Sequence, residues 1–143
     1  MQKPALAFAF ALLLAACAPV AEAPSLDLIP QPASWQPSQN ICFISGAWEL
    51  EVPEEWQQDR GFWLDWLTAD SDANEGKAVS IIINQSPDME SEAYALAIRP
   101  DGITIEAGST HGAFHALTTL RSLALTGNGA LPCGDLSDAP RFA

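Results

Sequence analysis

The sequence predicts an α+β domain in which a mixed or antiparallel sheet has two amphipathic helices packed on it. Two segments with apolar residues at helical spacing, one from Glu54 and one from Ser109, alternate with short β-rich segments. Elements that alternate in this way form one sheet whose buried face is covered by helices. The chain has 143 residues, of which 48% are hydrophobic and 17% charged, and this suffices for one domain with a single core.

Six segments have the alternation or the composition of strands. They are Ile41–Ile44, Trp48–Val52, Ala78–Asn84, Tyr94–Ile98, Ile103–Ala107 and Leu131–Leu136. The run from Ala78 to Asn84 is almost continuously apolar, which predicts a central strand that is covered on both faces. Pro100, Asp101 and Gly102 favour a tight turn, so the fourth and fifth segments should form a β-hairpin.

The first predicted helix follows Pro53 and carries Glu54 and Glu55 in its first turn, where proline and acids are favoured. Its large apolar residues predict one face that packs in the core. They are Trp56, Phe62, Trp63, Trp66 and Leu67. Exposed tryptophans can instead form a platform that stacks on sugars, but aromatic residues at helical spacing between two strands favour core packing.

The second predicted helix is capped by Ser109 or Thr110 and ends at Gly127. Its apolar residues recur every three or four positions and predict a face against the sheet. They are Phe114, Leu117, Leu120 and Leu123 or Ala124.

The first sixteen residues have the organisation of an export signal. A positive start is followed by an apolar run from Ala5 to Leu14, which is too short to span a bilayer. The sequence Leu-Ala-Ala before Cys17 looks like a bacterial lipobox, so we predict a signal peptide over residues 1–16 and acylation of Cys17. Residues 17–27 form a tether and residues 28–143 the domain, anchored to the envelope on the periplasmic side or at the cell surface. An ordinary secretory leader is the alternative.

The predicted export bears on the other two cysteines, because disulfides form outside the cytoplasm. In an oxidising compartment Cys42 and Cys133 are the only possible pair once Cys17 carries lipid. The alternative is two buried thiols that lie too far apart to bond. The net charge of −12, with six basic residues, argues against nucleic acid as a partner and against attraction to anionic lipid, so attachment to a membrane depends on the anchor.

Local chemistry in the sequence is sparse. His111 and His115 have a spacing that can bind one metal on a helix, but Gly112 stands where a zinc protease needs its glutamate and no third histidine exists. We therefore predict no metal and no cofactor. Ser109, His111 and Asp101 contain the residue types of a catalytic triad without a nucleophile elbow. The acids fall on loops and first turns, as solvated residues do.

Several motifs together resemble the small N-terminal domain of the family 20 glycoside hydrolases, the β-N-acetylhexosaminidases. The matching segments are Ile29–Pro32, Glu92–Ile98, Asp101–Ile105, Gly112–Phe114, Thr119–Arg121 and Asp138–Phe142. In that family a strand with Glu-x-Tyr leads through a hairpin into a Gly-Ala-Phe helix and on to an Asp-x-Pro-Arg-Phe junction before the barrel. The resemblance spans Leu28 to Ala143.

The resemblance implies a zincin-like accessory domain, with a sheet backed by two helices. It also implies that the parent enzyme removes terminal N-acetylglucosamine or N-acetylgalactosamine from glycans, with substrate-assisted catalysis by an Asp-Glu pair in a barrel. We therefore expect this chain to end before its barrel, to be inactive alone, and to have no catalytic residue. Its partners would be that barrel and, through the parent enzyme, N-acetylhexosamine glycans. The alternative is a stand-alone periplasmic lipoprotein that binds a glycan or a protein.

Overall fold

The computed structural model describes residues 26, 28, 30–43, 47–69, 78–127 and 130–139. Six strands and two α-helices lie in these ranges. In chain order they are β1 (Ser34–Phe43), β2 (Trp48–Glu51), α1 (Gln57–Thr68), β3 (Val79–Gln85), β4 (Tyr94–Arg99), β5 (Gly102–Ala107), α2 (Thr110–Thr126) and β6 (Ala130–Asp138). A single 3-10 turn, Glu54–Trp56, precedes α1. Each of the six predicted strand segments overlaps an observed strand, and both predicted helices are present; Ile44, the last residue of the first segment, lies outside the described residues.

The six strands form one mixed sheet in the order β1-β6-β4-β5-β3-β2. The strand β3 runs parallel to β2 and β5, whereas β4 pairs antiparallel with β5 and β6, and β1 pairs antiparallel with β6. The hairpin between β4 and β5 closes at Arg99 and Gly102, as the turn residues between them predict. The predicted α+β class is confirmed.

Both helices contact the sheet and each other, and they bury one continuous core. The innermost side chains come mainly from the central strands, from α2 and from β6. They are Ile81, Leu96, Ile98, Ile105, Leu117, Leu120, Leu131 and Leu136. Burial of each such aliphatic side chain contributes about 1.5–3 kcal/mol relative to its exposure, so this layer is the main source of stability.

The strand β3 is covered on one face only, so the prediction of burial on both faces is wrong. Ile81 and Ile83 are buried, but Ile82 between them is 38% exposed on the opposite face. The position of β3 also differs from the predicted central one, because β3 is next to the edge strand β2. A run of three isoleucines satisfies the strong β-propensity of branched residues without requiring a second cover.

The aromatic residues of α1 separate into two groups, which corrects the prediction of one core face. Trp56, Trp63 and Leu67 are buried, and the two indoles pack edge to face with centroids 6.3 Å apart. Phe62 is 63% exposed, and Trp66 is only partly buried. Residues 62 and 66 each lie one position before a buried residue, and one helical position rotates a side chain by about 100° away from the core.

Of the two predicted caps, Ser109 is the N-cap of α2, and its hydroxyl oxygen accepts the His111 amide at 3.1 Å. Gly112 in its first turn is required by a close approach, because a Cβ there would lie 2.5 Å from the carbonyl oxygen of Ala93. At the other end, the Gly127 amide donates to the carbonyl of Leu123 at 2.9 Å.

The strand β1 begins at Ser34, seven residues before the predicted segment at Ile41. Pro37 lies within it and argues against a strand, but β1 is at the edge of the sheet, where a missing amide donor is tolerated. Its register with β6 shifts between Pro37 and Ile41. The Trp35 ring covers Gly134 of β6, where any Cβ would clash with that ring.

Candidate functional site

A cleft of about 290 Å³ lies between α2 and the segment that precedes β1. That segment contributes Leu28 to its wall, the paired ends of β4 and β6 contribute Tyr94 and Asp138, and α2 contributes His115 and Thr119. The cleft therefore forms where the two ends of the described domain meet the second helix. It offers hydroxyl, imidazole and carboxylate groups for hydrogen bonding.

Tyr94 lines this cleft. Its ring is buried, with 5% of the residue exposed, and its hydroxyl lies 2.7 Å from the Thr119 hydroxyl on α2. Burial raises the pKa of Tyr94 above its usual value of 10.0; the Thr119 hydrogen bond opposes this shift, and the Asp138 carboxylate adds to it. The phenol therefore stays protonated at neutral pH and acts as a hydrogen-bonding group.

Asp138 closes the cleft at the end of β6. Its Oδ1 atom accepts the Ala33 amide at 3.2 Å and the Ala139 amide at 3.1 Å. These bonds tie the segment before β1 to the last described residue, so the two ends of the domain lie side by side. Carboxylates that accept amides in this way fix local backbone geometry, a structural role close to that of an Asx turn.

A comparison with known families decides the identity of the domain. Residues 25–139 match glycosyl hydrolase family 20, domain 2, a match over most of the chain. The chain belongs to this family. The resemblance drawn from Glu92 to Ile98 and from the hairpin and helix after it is thereby confirmed.

Individual relatives agree with the family. The chain is 34% identical over 70 residues to a β-hexosaminidase of Akkermansia muciniphila, a match over 46% of this chain and 14% of that protein. It is similar in fold to a family 20 exo-β-N-acetylglucosaminidase of Vibrio harveyi solved with N-acetylglucosamine. In that comparison the TM-score is 0.63, the identity 23%, and the coverage 79% of this chain and 19% of that one.

A third relative is the N-acetyl-β-hexosaminidase of Streptomyces plicatus, which is 25% identical with a TM-score of 0.60. The match covers 78% of this chain and 26% of that enzyme. The chain thus spans between about a seventh and a quarter of the relatives it matches. The family 20 domain is one part of these larger proteins.

Both histidines of the family 20 domain lie exposed on α2. His115 lines the cleft, whereas the backbone amide of His111 donates to the Ser109 hydroxyl that caps α2. Among the residues that the structure describes, no three histidine, cysteine, aspartate or glutamate side chains are grouped to hold a metal ion. The structure therefore brings neither histidine into a metal-ligating group in those ranges.

Ser109 is occupied by structural hydrogen bonds. Its hydroxyl donates to the carbonyl of Ser91 while its oxygen accepts the His111 amide. The same Ser91 carbonyl accepts the Gly112 amide at 3.2 Å, so Ser109 holds the loop before β4 against the first turn of α2. This role accounts for the serine without a catalytic triad.

The structure joins Cys42 of β1 and Cys133 of β6 in a disulfide, with Cα atoms 5.3 Å apart. That separation is typical of disulfides, so the alternative of two distant thiols does not hold for this geometry. Both residues are buried, at 3% and 1% exposure. That the exported protein carries this bond is a prediction.

Several predicted features lie outside the described residues. They are the signal peptide at residues 1–16, the lipidation site Cys17, the tether except for Leu26, and the Pro140–Phe142 part of the junction. In the part of the chain that the structure does describe, no helix is long and apolar enough to span a membrane.

The sequence did not predict the hydrogen bond between the Tyr94 and Thr119 hydroxyls, or that Asp138 lines the same cleft. A signal was present, because Tyr94 falls on the inward-facing positions of a strand and a buried phenol requires a hydrogen-bond partner. The partner lies 25 residues away on a helix, and no local pattern identifies it.

Proposed function

We propose that this chain is the noncatalytic accessory domain of an exported β-N-acetylhexosaminidase. One observation carries the proposal: residues 25–139 match domain 2 of family 20, while the relatives are about four to seven times longer than the matched portion. The parent enzyme removes terminal N-acetylglucosamine or N-acetylgalactosamine from glycans. Its acid/base glutamate and its acetamido-orienting aspartate belong to a barrel that follows the Asp138–Phe142 junction.

The geometry of the domain agrees with a supporting role. A hydrogen bond between Tyr94 and Thr119 joins β4 to α2, and Asp138 accepts amides from the segment before β1 and from Ala139. Ser109 and Gly112 likewise fix the start of α2. Each of these polar groups is used within the fold, which favours a rigid module that positions a neighbouring domain.

Export and lipid anchoring form the second part of the proposal. The apolar run from Ala5 to Leu14 and the lipobox before Cys17 support a leader that is cleaved and an acylated cysteine. The enzyme would then be held at the envelope, where glycans released outside the cytoplasm are accessible.

The test is hydrolysis of a chromogenic N-acetylglucosaminide. The purified 143-residue chain is expected to give no turnover above background, and the complete polypeptide that carries it is expected to give turnover. Sequencing beyond Ala143 should reveal the barrel. Turnover by the chain alone, lost when one of its acids is replaced, would show that the chemistry has been misplaced. An inactive complete polypeptide without a barrel would reject the assignment.

A further inference from the structure

The cleft between α2 and the segment that precedes β1 has the size of a small-molecule site. Its volume of about 290 Å³ is at the lower end of the range of such sites, which is roughly 300–1,000 Å³. A cleft of this volume suits a ligand about as large as a single sugar ring. Its chemistry is set by the side chains that α2, the segment before β1 and the ends of β4 and β6 present to it.

The helix α2 lines the cleft with hydroxyl oxygens whose hydrogen-bonding direction is fixed. The Thr118 hydroxyl donates to the carbonyl of Phe114, and the Ser122 hydroxyl donates to the carbonyl of Thr118, each at 2.9 Å. Each hydroxyl has a single hydrogen, which the helix carbonyl receives, so toward the cleft its oxygen can only accept. Thr118 and Ser122 lie one turn apart on α2 and therefore present two acceptors on the same side of the helix.

The Tyr94 and Thr119 hydroxyls form a second polar group in the cleft. Their oxygens are 2.7 Å apart, so one of their two hydrogens lies between them and the other remains to donate. The bond joins β4 to α2, and the buried Tyr94 ring holds its oxygen in place. The pair therefore offers one donor and several lone pairs to a ligand without rearrangement of the protein.

The described residues that line the cleft include acids but no lysine or arginine. The acids are Glu92, which is exposed, and Asp138. Carboxylates accept hydrogen bonds and repel anions. A ligand that brings only acceptors, such as a phosphate or a carboxylate, is therefore mismatched to this lining, whereas a ligand with several hydroxyl hydrogens matches it.

The wall that the segment before β1 contributes is apolar. It consists of Leu28, Pro30 and Pro32, and the prolines are rigid and have no amide to donate. A sugar ring has the same division, because its C–H groups form apolar faces while its hydroxyls lie around the rim. Small-molecule sites likewise combine an apolar surface with a few fixed polar groups.

We infer that this cleft binds one neutral sugar unit, whose hydroxyls donate to the hydroxyl oxygens of α2 and to the Glu92 carboxylate. The C–H groups of the sugar lie against Pro30 and Pro32. The remaining hydrogen of the Tyr94 and Thr119 hydroxyls is donated to an oxygen of the sugar. The inference goes beyond the proposed function, because it assigns a ligand to a cleft whose described lining comes from the accessory domain alone.

The experiment is an NMR titration of the 143-residue chain that carries isotope-labelled tyrosine. Tyr94 is the only tyrosine of the chain, so its ring signals report on this cleft alone. Glucose and N-acetylglucosamine are expected to shift these signals to saturation with midpoints of about 1–10 mM, as for a small ligand with few contacts. Glucuronate, which combines the glucose ring with a carboxylate, is expected to bind at least about tenfold more weakly, because the acids of the cleft repel it.

Two neighbouring acids provide a matched pair of variants. Glu92 lines the cleft, whereas Glu90, two positions earlier in the loop before β4, is not among the described residues that line it. Glu92→Ala should weaken the binding of glucose by about tenfold or more, because a hydrogen bond to a charged group is lost. Glu90→Ala should leave the midpoint within about twofold. Both side chains are exposed, so neither substitution removes a core contact, and equal midpoints in the two variants would refute the sugar site.

Other ligand classes are separate outcomes of the titration, and each would overturn the inference. Glucosamine that binds more than about tenfold tighter than glucose would assign the cleft to an ammonium group. Glucuronate that binds as tightly as glucose would show that the lining does not select against anions. The absence of a shift with either neutral sugar up to about 100 mM would show that the cleft binds no sugar.

The titration is repeated on the complete polypeptide that carries the chain, where Tyr94→Phe identifies the Tyr94 signals by their loss. The same neutral sugars are expected to shift these signals there. A shift that occurs in the 143-residue chain but not in the complete polypeptide would show that the rest of the polypeptide fills the cleft, and would reject the site. Because the Tyr94 signals report on the cleft, this result does not depend on whether the complete polypeptide hydrolyses glycans.

Discussion

At the scale of single residues, Tyr94 links burial, hydrogen bonding and charge in one group. It is the only tyrosine in the chain, so phenolate absorbance in the ultraviolet reports on it alone. Burial first, with the Asp138 carboxylate adding to it, raises its pKa in the folded state above 10.0. Stability that depends on the neutral phenol is therefore fully present below about pH 10 and is lost as pH rises through the folded pKa.

Titration of Tyr94 makes this testable. In the native protein its midpoint should lie above 10.0, and in denaturant it should return to that value. The free energy of unfolding should fall above about pH 10, and Tyr94→Phe should remove part of that fall. At neutral pH the same substitution should cost about 1 kcal/mol, because the Thr119 hydroxyl loses its partner. A native midpoint at or below the denatured one would contradict the burial of the phenol.

Two helical glycines form a matched pair with opposite predictions. Gly61 in α1 has open space where a Cβ would be, so Gly61→Ala should raise the free energy of unfolding by about 0.5–1 kcal/mol. Gly112→Ala should lower it by about 1–3 kcal/mol, because its Cβ would lie 2.5 Å from the Ala93 carbonyl oxygen. Urea unfolding of the two variants is the measurement. If both substitutions stabilise the protein, the loop around Ala93 moves at little cost to make room for the Cβ at position 112.

At the scale of elements, the edge strand β1 depends on β6. Its register shifts between Pro37 and Ile41, and Cys42 is linked to Cys133 just beyond that shift. The opposite edge strand, β2, is four residues long and exposes Glu49 and Glu51, which discourages pairing with another chain. The two edges thus differ: a disulfide links β1 to β6, whereas short length and exposed acids keep β2 from pairing with another chain.

The disulfide gives the element-scale prediction. Because the two cysteines lie 91 positions apart, the bond should contribute about 4–5 kcal/mol through loss of chain entropy in the unfolded state. Cys42→Ala or reduction should lower the free energy of unfolding by that order. Peptide mapping of the exported protein without reductant should recover Cys42 and Cys133 cross-linked. Labelling of both thiols in the native, unreduced protein would show that they do not pair.

The elements also show which parts of the fold local sequence patterns can predict. Alternation predicted β4 and β5 and their turn, and a serine followed by apolar spacing predicted the start of α2. The patterns missed the first seven residues of β1. These residues pair with residues of β6 about a hundred positions away, and Pro37 among them argues against a strand. They also missed the exposure of Ile82 and Phe62, because β-propensity and helical spacing do not specify how much of a surface another element covers.

At the scale of the whole molecule, the meeting of both domain ends at the cleft determines how the domain can be used. The Ala33 amide and the Ala139 amide both donate to Asp138, so a tether that precedes the domain and a domain that follows it start from one point. A lipid anchor at Cys17 would then hold the accessory domain and its neighbour at a similar distance from the membrane.

Anchoring itself is tested at Cys17. The thiol is the acceptor for the acyl chain, and the acidic surface, with a net charge of −12, provides no attraction to anionic lipid. Cys17→Ala should therefore move the protein from the membrane fraction to the soluble fraction of the expressing cell, whereas Ala21→Ser in the tether should leave it membrane-bound. The physical reason is that acyl burial supplies about 0.8 kcal/mol per methylene, far more than any polar tether. Equal membrane partitioning of Cys17→Ala and the wild type would show that the lipobox is not used, and would leave the ordinary secretory leader as the interpretation of residues 1–16.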